Sequence, residues 1–105
     1  MKGVTPQFHE NRLMVQQHIL KKIIIEYLLL LKNNLPLRLA FDYNDAEILV
    51  WAETEDDDEE MERQLILTEA QVNAKFHQFG FDLRSTLVEE SDGLPIPAHY
   101  KIFKS

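Results

Sequence analysis

An α+β fold is predicted: an antiparallel sheet of about five strands with a long N-terminal helix and a second, shorter helix, in the order α-β-β-β-α-β-β. Three observations predict it. Apolar residues recur at helical spacing from the N-terminus to about Lys32. Period-two alternation occurs in segments flanking turn residues. A second helical stripe separates two such groups of segments. The 105 residues are expected to form one domain, 1–105, with a flexible N-terminus over 1–5 and an acidic loop over 55–61.

Thr5 is placed to cap the first helix, and Pro6 suits its first turn. Leu13, Leu20, Ile24, Tyr27, Leu28 and Leu31 then share one face. Asn33-Asn34 supplies a left-handed exit, and Pro36 forbids continuation. Leu37, Leu39 and Phe41 alternate with polar or small residues, as do Ile48, Val50 and Ala52 with Leu49 and Trp51 around the Asn44-Asp45 turn. These make a hairpin, 37–43 with 46–54, whose second strand is apolar on both faces and therefore central. Residues 63–67 read as a third strand. The rival is a single helix over 60–79, since Met61, Leu65, Val72, Phe76 and Phe79 nearly share a face. Thr68 with Gln71 resembles a capping box and favours a helix start at Thr68, with Val72, Phe76 and Phe79 buried and Gly80 as the stop. Segments 83–88 and 100–103 form a second hairpin about Asp92-Gly93, with Pro95 and Pro97 pushing the last strand to an edge.

This order in a small acidic chain is reminiscent of the small dimeric chaperones that escort secreted virulence effectors. The likeness is one of element order alone, and the final helix usual there is missing. No family is recognised in the residues themselves.

The first helix is apolar on more than one side. Ile19, Ile23 and Leu30 widen the main stripe. Met14, Ile25 and Leu29 lie far round the helix, with His18, Lys22 and Glu26 as the polar remainder. One sheet cannot bury both sides, so Met14, His18, Ile25 and Leu29 are expected to meet another chain, most simply a second copy.

The formal net charge is −7 and the pI near 5.0. No basic stripe is present, so nucleic acid is not an expected partner. A basic protein is, through Glu55, Asp56, Asp57, Asp58 and Glu59. The plainer reading of that run is a solvated hairpin loop. It lacks the spacing and glycine of a calcium loop.

The four histidines, at 9, 18, 77 and 99, show no ligand spacing, and no metal site or cofactor is expected. Cysteine is absent, which suits a reducing compartment, and a cytoplasmic location is expected. The apolar run 23–31 is too short for a membrane span and carries Glu26; no signal peptide or membrane partner is expected.

No nucleophile elbow, phosphate loop or dinucleotide motif occurs, so no catalytic residue is assigned. The nearest cluster, Asp82, Glu89, Glu90, His99 and Tyr100, would meet across the last hairpin. Trp51, His77, His99 and Tyr100 are the candidate lining of a loop or pocket site. Leu94–Tyr100 is a stiff, apolar segment suited either to a turn or to recognition. The expected function is a non-catalytic interaction module of adaptor, chaperone-like or immunity type. The alternative is a small-molecule-binding or catalytic domain with a pocket between sheet and helices.

Overall fold

Helix α1 (Val4–Leu31) lies in a layer with helix α2 (Glu59–Phe76), and both cover one face of a four-stranded sheet. The computed structural model describes residues 4–32 and 34–104, with side chains in α1 from Gln17 onward. The strands are β1 (Arg38–Asn44), β2 (Glu47–Thr54), β3 (Asp82–Glu89) and β4 (Lys101–Ile102). Their spatial order is β3-β2-β1-β4. The β1–β2 and β1–β4 pairs are antiparallel, and β2–β3 is parallel. The molecule is α+β, but its sheet is mixed and has four strands, not about five in an antiparallel array.

Two local readings cause that difference. Residues 63–67 are helical, because α2 starts ten residues earlier than the Thr68 signal suggested. Asp58 is the N-cap, its carboxylate accepting from the Met61 N–H at 3.1 Å, and Glu59, Glu60 and Glu62 sit in the first turn, where acids favour the helix dipole. Thr68 instead turns its hydroxyl back onto the Gln64 carbonyl at 2.8 Å, an interior helix bond and not a cap. The acidic run is thus the link from β2 into α2, not a hairpin loop. With one helix between β2 and β3, the unit is β-α-β and its strands must run parallel.

The second hairpin is also absent. β3 and β4 lie at opposite edges of the sheet, joined by a single 3-10 turn at Glu90–Asp92 and a strap over residues 93–100. Gly93, at φ 59°, ends that turn with its N–H on the Glu90 carbonyl. The β2-to-β3 crossover uses the inner face. The return from β3 to β4 runs the other way across the sheet, over the outer face, so both crossovers have the same hand. The order α-β-β-α-β-β therefore differs by one strand from the one that suggested the effector-escorting chaperones. The first hairpin, the central place of β2 and the edge place of β4 are as read from the sequence.

On the inner face, Leu39, Phe41, Ile48, Val50 and Leu83 pack under Ile23, Tyr27 and Leu31 of α1 and Met61, Leu65, Val72 and Phe76 of α2. Tyr27 meets Phe41 edge-on at 5.7 Å. α1 ends at Leu31, and Lys32 after it takes the left-handed conformation (φ 56°) assigned above to Asn33-Asn34; Asn33 lies outside the described residues. At its start, α1 includes Val4 and Thr5, so Thr5 is in the first turn and not ahead of it; the side chains of Thr5, His9, Leu13 and Met14 lie outside those described. No helix among the described residues is long and apolar enough to cross a membrane.

Two inner-face hydroxyls, Tyr27 and Ser85, are buried without a hydrogen-bond partner among the described residues. Burial pushes the Tyr27 phenol well above its ordinary range; Ser85 lies near enough to pull the other way, but the pair does not reach hydrogen-bond geometry. An unsatisfied buried polar group costs about 1–3 kcal/mol. The double variant Tyr27→Phe/Ser85→Ala is therefore expected to raise stability by ~1 kcal/mol, read as a higher urea midpoint at unchanged slope. A lower midpoint would show that the hydroxyls stabilise the fold.

Candidate functional site

The sequence points to three surfaces, and the fold separates them. The first is the outer side of the helical layer. Ile23, Tyr27 and Leu31 are fully buried, whereas Ile25 and Leu29, on the opposite side of α1, are 55% and 65% exposed. The two helices run antiparallel. Lys75 of α2 bridges to Glu26 of α1 at 3.0 Å, and the Gln64 side-chain amide donates to the Leu30 carbonyl at 3.3 Å. Beside that bridge lies a groove of about 670 Å³, walled by Ile19, Ile25, Phe76 and Phe79 and rimmed by His18, Lys22 and Lys75. Phe79, read from the sequence as buried, sets its ring centre 6.1 Å from that of Phe76, tilted by 44°, and is 52% exposed. It follows α2 in a 3-10 turn (His77–Phe79) that Gly80 closes at φ 81°, carrying it past the sheet. His18, Ile25 and Phe79 thus come together; Met14 lies on the same helix, its side chain outside those described.

The second surface is the outer face of the sheet. Ala40, Trp51 and Val88 are buried there under Ile96 and Tyr100 of the strap. Leu94–Tyr100 is therefore a cover on the sheet, anchored by Arg38. Its guanidinium forks onto Glu53, with Nε at 2.8 Å and the terminal nitrogen at 2.6 Å, donates to the Leu94 carbonyl at 2.7 Å, and stands 5.0 Å from the centre of the Trp51 ring. Arg38 holds the Glu53 carboxyl below its ordinary range by hydrogen bonding, against the opposing effect of burial. Glu53 itself is 6% exposed.

Sequence reasoning missed Arg38 and Glu53 as a pair because it centred the turn on Asn44-Asp45, which would set Arg38 opposite Trp51; the turn is Asp45-Ala46, one residue later, and the register makes Arg38 and Glu53 cross-strand neighbours. Of the candidate pocket residues, Trp51 and Tyr100 meet on this face. His99 is exposed on the strap, and His77 lies at the far end of α2. Burial, with the charges of Asp42 and Glu47, pushes the Tyr100 phenol up.

The third surface is the acidic end, at the C-terminal ends of the parallel strands β2 and β3. Asp56 accepts from the Ser91 N–H at 2.9 Å, tying the 55–58 link to the turn after β3, while Asp57 takes a left-handed conformation. Glu55 and Asp56 share a shallow hollow with Glu90. Glu89 is pushed above the usual carboxylate range by burial and by Asp56, Asp57, Asp92 and Glu62. Asp58 and Glu59 are committed to the start of α2. Among the described residues no group of three or more acidic or histidine side chains is arranged to hold a metal ion. The acids of this end and His99 do not face each other across a hairpin, since β3 and β4 lie on opposite edges.

One further hollow, about 340 Å³, lies between α1 and the β1–β4 edge, walled by Leu20, Ile24, Phe41, Tyr43 and Phe103 with Lys21 and Lys101 at its rim. No family model, curated protein or solved structure matches the chain.

Proposed function

We propose that the chain is a non-catalytic protein–protein interaction module. It pairs with a second copy through the outer side of α1 and takes a basic protein partner at its acidic end, as an adaptor, chaperone-like or immunity-type protein does. The observation that carries this reading is the two-sided helix. Ile25 and Leu29 remain exposed after the fold has buried Ile23, Tyr27 and Leu31, and Phe79 extends the same apolar strip onto the turn that follows α2. Contiguous apolar surface of this kind marks contact sites. A second copy is the simplest occupant because closed two-fold dimers are the commonest soluble assemblies. Lys22, Lys75 and Glu26 line the helical groove, and an acidic cluster lies at the strand ends.

Light scattering on a size-exclusion column is expected to give a dimer mass that persists in high salt. Ile25→Asp and Leu29→Asp are each expected to give a folded monomer, with unchanged far-ultraviolet circular dichroism. A dimer that survives both substitutions would remove this surface from consideration.

The hollow between α1 and the β1–β4 edge favours the second reading, a small-molecule site between sheet and helices, because its size falls within the range of ligand pockets. It does not contain Trp51, His77, His99 or Tyr100. A compound that raised the melting temperature in step with its concentration, and lost that effect in Ile24→Trp, would support this reading.

A further inference from the structure

Strand β3 ends the sheet on one side, and two side chains reveal which of its backbone groups face outward. Asn73 of α2 donates from Nδ2 to the Leu83 carbonyl at 2.9 Å, and its Oδ1 accepts from the Leu83 N–H at 2.8 Å. The Glu89 N–H donates to the Asp92 carboxylate at 2.9 Å. In an extended strand the N–H and C=O of one residue point to the same side, and the side alternates along the chain. The outward set is therefore Leu83, Ser85, Leu87 and Glu89. Asp82, whose N–H reaches the Ala46 carbonyl at 3.0 Å, belongs to the inward set. Both ends of the outward set are engaged within the chain. Among the described residues, no hydrogen bond reaches the outward backbone groups of Ser85 or Leu87. What remains is a window of two donors and two acceptors.

The wall of that window comes from α2. Glu62, Ile66, Glu69 and Asn73 recur at i, i+4, i+7 and i+11, along one side of the helix. Asn73, at one end, touches Leu83. Glu62, at the other, shares a hollow with Leu87 and Glu89. Ile66 and Glu69 lie between them, over the window, and Ile66 is 55% exposed. An unpartnered apolar side chain thus overhangs an unpartnered length of strand, with a carboxylate on either side.

We propose that the β3 edge is a strand-addition site for an extended segment of a basic partner. The segment bonds to the Ser85 and Leu87 backbone, sets an apolar side chain against Ile66, and places lysine or arginine two residues to either side, facing Glu62 and Glu69. Main-chain pairing supplies affinity in such complexes and alternate side chains supply specificity. The inference rests on the basic-partner half of the function proposed above and moves the contact from residues 55–59 to the strand edge. Charge excludes a second copy as occupant. Antiparallel pairing about Thr86 would satisfy all the open groups, but it would bring Glu62, Glu69 and Glu89 of both copies together.

The test is a titration of ¹⁵N-labelled protein with the peptide Lys-Thr-Val-Thr-Lys, blocked at both ends, and separately with Glu-Thr-Val-Thr-Glu. The lysine peptide is expected to give saturable shifts centred on the Ser85 and Leu87 amides and slower hydrogen exchange at both. Added salt should weaken the response, and the glutamate peptide should give none. Leu87→Pro removes an outward N–H without touching the β2 ladder, and Ile66→Lys removes the apolar contact and sets a positive charge between Glu62 and Glu69. Each is expected to weaken binding by roughly tenfold or more, and Ile66→Lys keeps the test decisive if the proline variant does not fold. Shifts confined to residues 55–59 would overturn the strand-edge site and leave the basic-partner reading standing. No saturable shift at millimolar lysine peptide would overturn both.

Discussion

Leu65→Ala is expected to destabilise the protein by ~3 kcal/mol, whereas Leu67→Ala, two residues on, is expected to cost less than about 0.5 kcal/mol. Leu65 is fully buried at the centre of the α2 stripe, among side chains of α1 and the sheet; Leu67 is 55% exposed. Truncating Leu65 removes three carbons from a packed interior and leaves a cavity that neighbours on three elements cannot jointly fill. For a chain of this size the loss corresponds to a melting temperature lower by roughly 12 °C or more. The contrast is diagnostic of geometry. In a strand, Leu65 and Leu67 would share a face and the two losses would be alike. In a helix they lie about 200° apart. Equal losses would therefore refute the helical assignment of 63–67.

That segment is also where sequence reasoning failed, and the failure spread. The stripe Met61, Leu65, Val72, Phe76 and Phe79 was visible, and all but Phe79 are buried as a helix requires. The resemblance of Thr68 and Gln71 to a capping box outweighed it, because a threonine followed by a glutamine looks the same whether the hydroxyl caps a new helix or bonds back within an old one. Reading five residues as strand then turned a β-α-β unit into a run of hairpins. An antiparallel sheet followed from the same error. Asp92-Gly93 compounded it. The pair does make a tight turn, but the turn feeds a strap across the outer face instead of a return strand. The candidate surfaces fared differently. Ile25 and Leu29 were legible because helical periodicity is local. The β3 edge was not, since which strand ends the sheet depends on pairing between residues far apart in sequence.

Arg38→Met is expected to lift the strap and to lower the melting temperature by several degrees at neutral pH. The substitution removes three hydrogen bonds and the ring contact, leaving the Glu53 carboxylate under cover without its partner. Trp51 is the sole tryptophan, so its emission reports the change directly, moving to longer wavelength as Ile96 and Tyr100 withdraw. The pH dependence has a definite sign. In the native protein Glu53 titrates below the ordinary glutamate value of 4.5 because Arg38 bonds its charged form. A depressed folded value contributes stability that is complete above the unfolded value and lost as pH falls through the folded one. In Arg38→Met that depression is gone, and burial alone acts on Glu53, in the opposite direction. The difference in stability between the two proteins should therefore be greatest at neutral pH and shrink below 4.5. Adding Glu53→Gln to the variant should recover part of the loss at neutral pH. A difference independent of pH, or an unmoved emission maximum, would refute the assignment.

The placement of β4 bears on how the chain is made. β1 is the first strand to be synthesised, and its outer edge waits for Lys101 and Ile102, more than half the chain away. β2, α2 and β3 follow one another directly and can assemble on β1 as they emerge, since contacts close in sequence form fastest. Throughout that interval β1 presents bare backbone beside Phe41 and Tyr43. Strand edges of this kind recruit other chains. The two-residue β4 and the strap before it thus act as a late seal, and the nascent protein is exposed to aggregation at this edge until residues 101 and 102 have emerged.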